Sequence, residues 1–148
     1  MMNKKSQIYA VREIFQFGLG IVLLTSVFYI FYNNIIPLVA DYALQLEAEN
    51  INSHINYLAS SIINIAGEGM VNSTIVSEYE LPYTISDYSY SSYFSGNNLC
   101  TIINELGVNQ CFEMTNQDIN YAGVFFSGGT LTLRLVKDNN QINLTMTN

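Results

Sequence analysis

Between residues 14 and 36 the chain reads IFQFGLGIVLLTSVFYIFYNNII, apolar on every side of a helix and without a charged side chain. At about 1.5 Å per residue such a helix is long enough to cross the ~30 Å hydrocarbon core of a bilayer. Gln16, Thr25, Ser26, Asn33 and Asn34 are its uncharged polar residues, tolerated because a helix satisfies its own backbone. Tyr29 and Tyr32 lie toward one end, where amphipathic rings suit the headgroup level. A helix on a soluble domain keeps a polar face, and this stretch has none. The pattern predicts a transmembrane helix over 14–36.

Pro37 follows directly, restricting Ile36 and leading us to expect a kink or an interruption. The helical pattern then resumes over 38–66 and becomes amphipathic. Leu44, Ala48, Ile51, Ile55, Leu58, Ile62 and Ile65 recur at alternating steps of four and three, a heptad stripe on one side of a helix. Glu47, Glu49, Asn50, Asn52, Ser53, Asn56, Ser60 and Ser61 fill the polar side, and Leu46, Tyr57 and Ile63 lie off the stripe. Gly67-Glu68-Gly69 ends the helix, glycine being the usual residue past a helix end. Three heptads are few for a coiled coil, so the stripe is expected to pack on its own domain.

From Met70 the period shortens to two. Thr74–Ser77 is a short β-branched run, and Leu81, Tyr83 and Ile85 alternate beside Pro82, which suits a strand start or a sheet edge. The tyrosine- and serine-rich 87–98 reads as loop with some strand, 99–106 as a short helix beginning near Cys100, and 123–127 as a small apolar strand. The clearest signal is last. Leu131, Leu133 and Leu135 alternate, Lys137-Asp138-Asn139-Asn140 turns the chain, and Ile142, Leu144 and Met146 alternate again. Asn and Asp tolerate the positive φ of tight turns, so this is a hairpin with one apolar face. Its natural cover is the stripe of 44–65, since neither layer can bury its apolar side alone. The expected fold is α+β. A long N-terminal helix, transmembrane in its first half and amphipathic in its second, packs on a small antiparallel sheet. The expected organisation is a basic leader over 1–13, the span over 14–36 and a head over 37–148 whose β-rich part is 70–148.

Charge orients this arrangement. Lys4, Lys5 and Arg12 precede the span against Glu13 alone, whereas only Arg134 and Lys137 oppose the eleven acids that follow it. Short basic flanks stay cytoplasmic, which places the amino terminus inside and the head outside the cell membrane. The apolar run exceeds the ~7–15 residues of a cleavable secretory signal, so the span is expected to be retained. An acidic exterior poor in lysine lacks the basic footprint that nucleic acid requires.

Cys100 and Cys111 both fall on the exterior side, where an isolated close pair most simply forms a disulfide. The other use of two cysteines, metal ligation, lacks neighbouring His partners. The single histidine, His54, sits on the polar side of the amphipathic helix, so no metal set and no cofactor are expected. No GxSxG elbow or paired-carboxylate spacing is readable, and Gly128-Gly129 does not precede a helix. The chain is therefore not expected to be an enzyme. Asn72-Ser73-Thr74 and Asn143-Leu144-Thr145 match the N-glycosylation pattern, the first after a helix end and the second inside the expected last strand. Arg12 and Glu13 stand at the membrane boundary, where an ionisable group either sets topology or seeks a partner in subunit docking.

The order Lys4-Lys5-Ser6, Gln7-Ile8, a long apolar helix, an amphipathic continuation and a β-rich head resembles archaeal type IV pilin-like and archaellin-like proteins. The resemblance covers roughly the first forty residues in pattern. It implies leader removal between Ser6 and Gln7, docking between subunits through Glu13, and bundling of helices into a filament core. Ser6 stands where glycine is commoner, and Glu13 would be the seventh residue after cleavage instead of about the fifth. The expected partners are membrane lipid and copies of itself or other pilin-like subunits. The competing expectation is a permanently anchored extracellular module that contacts surface-layer or other envelope proteins through the tyrosine-rich Tyr79–Tyr93 stretch.

Overall fold

The computed structural model describes residues 4–67, 72–114, 118–138 and 141–148, with side chains for 9 and from 11 onward. The chain divides into two compact units, Met1–Tyr42 and Ala43–Asn148. Helix α1 (Lys4–Ile30) is followed by a five-residue π-turn (Phe31–Ile35) and by α2 (Ile36–Gly67). No break occurs at Pro37. Instead the backbone widens just before it, with the Ile36 amide donating to the Phe31 carbonyl five residues back. A wider turn relieves the crowding between a proline ring and the preceding turn. Asn33 Nδ2 donates to the Tyr29 carbonyl at 3.0 Å and Asn34 Nδ2 to that of Ile30 at 3.2 Å, so side-chain amides supplement the backbone bonds there.

The second unit is an α+β layer pair. Strands β1 (Ser73–Glu80), β2 (Ser91–Ser95), β3 (Asn98–Ile103), β4 (Val108–Glu113), β5 (Ile119–Phe126), β6 (Thr130–Asp138) and β7 (Gln141–Thr147) form one sheet in the order β1-β6-β7-β5-β2-β3-β4. Pairing is antiparallel throughout except between β5 and β7, which run parallel. The β6–β7 hairpin forms as the alternation requires, with Leu135 opposite Leu144 and Leu133 opposite Met146. Its tip, Asn139-Asn140, lies outside the described residues. Leu131, Leu133, Leu135, Leu144 and Met146 are fully buried in one apolar cluster with Leu44, Ala48, Ile51, Ile55, Leu58 and Ile62 of α2. The stripe and the hairpin face do cover each other. At the helix end, Lys137 Nζ on β6 donates to the Ala66 carbonyl at 3.0 Å, a cation closing one of the carbonyls a helix leaves open.

The far end of the stripe is shifted from the heptad reading. Ile65 is half exposed, while Ile63 and Ala66 are buried. A straight helix turns every 3.6 residues, so a strict 3.5 repeat drifts by about 20° per heptad. Over three heptads Ile65 rotates off the sheet and its neighbours rotate onto it. Asn52, assigned by pattern to the polar side, is also buried.

Residues 99–106 are not a helix. Leu99, Thr101 and Ile103 alternate inward on β3, and a four-residue turn at 104–107 leads into β4. Gly107, at φ +68°, supplies the left-handed residue of that turn and donates its amide to the Ile103 carbonyl. Leu81 and Ile85 do not continue β1 either. They sit in the β1–β2 connection, which packs into the core through Leu81, Ile85 and Tyr90. Its two-residue turn at Ser86-Asp87, both at positive φ, is closed by paired 2.9 Å bonds between Ile85 and Tyr88. The β5–β7 pair depends on Gly123, at φ +112°, where any Cβ would fall against the Met146 backbone.

Candidate functional site

Every side chain from residue 11 to residue 43 is exposed. For twenty-three of these, 14–36, that means an apolar helix with nothing on it. Surface apolar area on this scale marks a membrane or a protein contact. The helix has two unlike sides. Phe17, Ile21, Leu24, Phe28 and Phe31 fall one above another at steps of four and three, and all are large and apolar. Gly18, Val22, Ser26, Tyr29 and Asn33 rise along another side at similar steps, with Thr25 beside them. Val11, Phe15, Gly18 and Val22 line a shallow groove on this second side, and Thr25, Ser26 and Tyr29 line a further one above it.

Local geometry fits the second side to apolar surroundings. Thr25 Oγ1 donates back to the Ile21 and Val22 carbonyls at 2.9 and 3.0 Å, and Ser26 Oγ to that of Val22 at 2.7 Å. Both hydroxyls thus carry their own acceptors and can face lipid or a neighbouring helix without an unmet donor. In lipid, small residues let helix backbones approach closely, and Ser, Thr and Asn bond across the contact. The large apolar side has no Ser, Thr or Asn, and its one small residue, Gly20, lies at its edge.

The residues singled out by sequence fall as follows. Ser6 and Gln7 lie within α1, their side chains outside the described set. Arg12 and Glu13 are both exposed on α1, about a quarter turn apart. They directly precede the start of the charge-free run. Cys100 and Cys111 are directly opposed on β3 and β4 and are joined by a disulfide, with Cα atoms 4.0 Å apart. They alternate out of phase with Leu99, Thr101 and Ile103, which puts the bridge on the sheet face away from α2. Asn72 is exposed at the bend before β1, whereas Asn143 is half buried in β7. His54 is exposed, and among the described residues no three His, Cys, Asp or Glu side chains come together as a metal set.

The tyrosine stretch is mostly folded into the head. Tyr90 is buried, its hydroxyl donating to the Pro82 carbonyl at 2.8 Å, and Tyr79, Tyr88 and Tyr93 are half buried. Burial pushes the Tyr90 phenol up to about 12. Only Tyr83 of this set is openly exposed.

Sequence reasoning missed a buried polar chain. Thr101 Oγ1 donates to Asn52 Oδ1 at 2.7 Å, and Asn52 Nδ2 donates to the Gln110 carbonyl at 2.8 Å. Ser92 Oγ lies 2.6 Å from Thr101 Oγ1. Since the Thr101 proton goes to Asn52, Ser92 is the donor in that pair. This chain ties α2 to β2, β3 and β4. It belongs to the packing of the head and does not open to solvent: Ser92, Thr101 and Asn52 are all at most 1% exposed.

No protein-family model, curated protein or solved structure matches this chain.

Proposed function

We propose that the chain is a pilin-like structural or accessory subunit of an archaeal cell-surface filament, held and assembled through its N-terminal apolar helix. The observation that carries this reading is the bare, two-sided helix of residues 14–36. In the membrane, the Phe17–Phe31 side faces lipid. The Gly18–Asn33 side packs on the same helix of another copy or of a related subunit. Lys4, Lys5 and Arg12 keep the amino terminus at the cytoplasmic headgroups, and residues 43–148 stand outside. Leader removal between Ser6 and Gln7 takes away both lysines and lowers the barrier to drawing the helix out of the bilayer into a bundle. Glu13 then pairs with a cation of a neighbour, the new terminus or Arg12. The chain does no catalysis in this account.

A second reading is favoured by Arg12 and Glu13, exposed side by side where the apolar run begins. Two charges at that depth suit a permanent anchor at the headgroup level, with the exterior unit contacting surface-layer or other envelope proteins. Shearing filaments from intact cells without detergent separates the two. The filament reading expects the protein in the sheared fraction with a mature terminus at Gln7. Recovery only in the membrane pellet, with Met1 or Met2 intact, removes that reading and leaves the anchored module.

A further inference from the structure

We propose that Asn72 carries an N-linked oligosaccharide and that Asn143, the other matching asparagine, does not. The inference rests on the exterior placement of residues 43–148 argued above. Both sites have the required hydroxyl two residues on, Thr74 and Thr145. Their surroundings separate them.

Asn72 is exposed, at φ +57°, outside the strand ladder. Ser73 and Thr74 form the first two rungs of β1, opposite Lys137 and Val136. β1 is an edge strand with a neighbour on one side only, and strand ends fray at little cost. Thr74 is itself exposed. A transferase can therefore engage Asn72 and its hydroxyl partner on the folded head, and a bulky hydrophilic chain at this exposed edge projects into solvent.

Asn143 is in the opposite situation. β7 is paired on both sides, with β6 and with β5. Asn143 Oδ1 accepts from Asn120 Nδ2 at 3.1 Å. The middle residue of the triplet, Leu144, is fully buried, and Thr145 Oγ1 donates to the Arg134 carbonyl at 3.2 Å. Lifting this triplet to a transferase means pulling a central strand out of the core.

The donor is a lipid-pyrophosphate-linked oligosaccharide. Asn72 Nδ2 attacks its anomeric carbon, and a C–N bond forms as the C–O bond to the pyrophosphate breaks. The lipid pyrophosphate leaves with that electron pair, and the displaced Nδ2 proton passes to a base of the transferase. No redox change occurs.

Glycopeptide mass mapping of the protein from its native cells tests this, with intact-cell proteolysis run on the same preparation. The expected result is a saccharide mass on the Asn72 peptide, lost in Asn72→Gln and in Thr74→Ala and retained in Asn143→Gln, with Asn143 unmodified. A bare Asn72 on a head that protease reaches from outside overturns the proposal while leaving the exterior placement intact. A glycan on Asn143 also overturns it. Residues 43–148 protected from external protease, with Asn72 bare, overturn both the proposal and the placement on which it rests.

Discussion

Asn52 and Gln110, fifty-eight residues apart in sequence, meet through a 2.8 Å bond from the Asn52 side chain to the Gln110 backbone carbonyl. The same asparagine accepts from Thr101, so one side chain of α2 fixes the helix against both β3 and β4. In a core held mainly by interchangeable aliphatic contacts, a directional bond selects one seating of helix on sheet. Asn52→Ala should cost about 1–3 kcal/mol, because the Thr101 hydroxyl then loses its buried acceptor. Thr101→Val should be milder, and the double variant should cost clearly less than the sum of the two. Denaturant unfolding of residues 41–148 measures all three. Strict additivity would mean the two side chains do not act as a unit.

The stripe and the hairpin face stand or fall together. Ile55, fully buried, has no polar partner to receive a charge, so Ile55→Asp should cost several kcal/mol and unfold the head. Gly123→Ala should be comparably severe, since its Cβ would sit against the Met146 backbone at a φ unfavourable to alanine. Thermal melting reads both. An unchanged midpoint for Ile55→Asp would show that the helix is not held by this contact.

How much of this was legible beforehand depended on whether a residue's fate is set locally. A helix long and apolar enough to cross a membrane was readable from 14–36 alone, because no partner is needed to see that twenty-three residues lack charge. The β6–β7 hairpin was readable because Leu131 to Met146 alternate around a turn rich in Asp and Asn. Asn52 was not. A buried asparagine differs from a solvated one only through partners 49 and 58 residues away. Residues 99–106 misled because Thr101, an inward position on β3, is polar and broke the apolar alternation that would have marked a strand. Its polarity is satisfied by Asn52, so the two misreadings share one cause. The two sides of this helix were present in the sequence too. They emerge only when Gly18, Val22, Ser26, Tyr29 and Asn33 are placed on the helix, because bulky residues lie between them in the chain.

The Cys100–Cys111 bridge closes a ring across an antiparallel pair. In the loop-closure picture its loss should lower stability by about 2–3 kcal/mol. Cys100→Ser with Cys111→Ser is the test, read by unfolding without reductant. In the native protein both thiols should resist alkylation until reductant is added. Ready labelling without reductant would put the oxidising, exterior environment in doubt.

Alkali should weaken the head above pH 10. Burial pushes the Tyr90 phenol up from its ordinary value near 10 to about 12, and burial also raises Tyr121. Below pH 10 both states hold the Tyr90 proton and nothing is lost. Between 10 and 12 the unfolded chain gives it up first, so stability should fall by about 1 kcal/mol per pH unit in that window. Tyr90→Phe removes that contribution at the cost of the bond to Pro82. An identical alkaline slope in the variant and the parent would assign the loss to other groups.

Cross-linking within the membrane tests the assembly account most directly. Single cysteines are placed at Val22 and Ser26 on one side of the helix and at Ile21 and Leu24 on the other, in the full chain in its native membrane. The account predicts that oxidation joins two copies readily at Val22 and Ser26 and little at Ile21 and Leu24. Equal yields at all four positions, or no dimer at any of them, would contradict a contact between copies of this chain on the Gly18–Asn33 side.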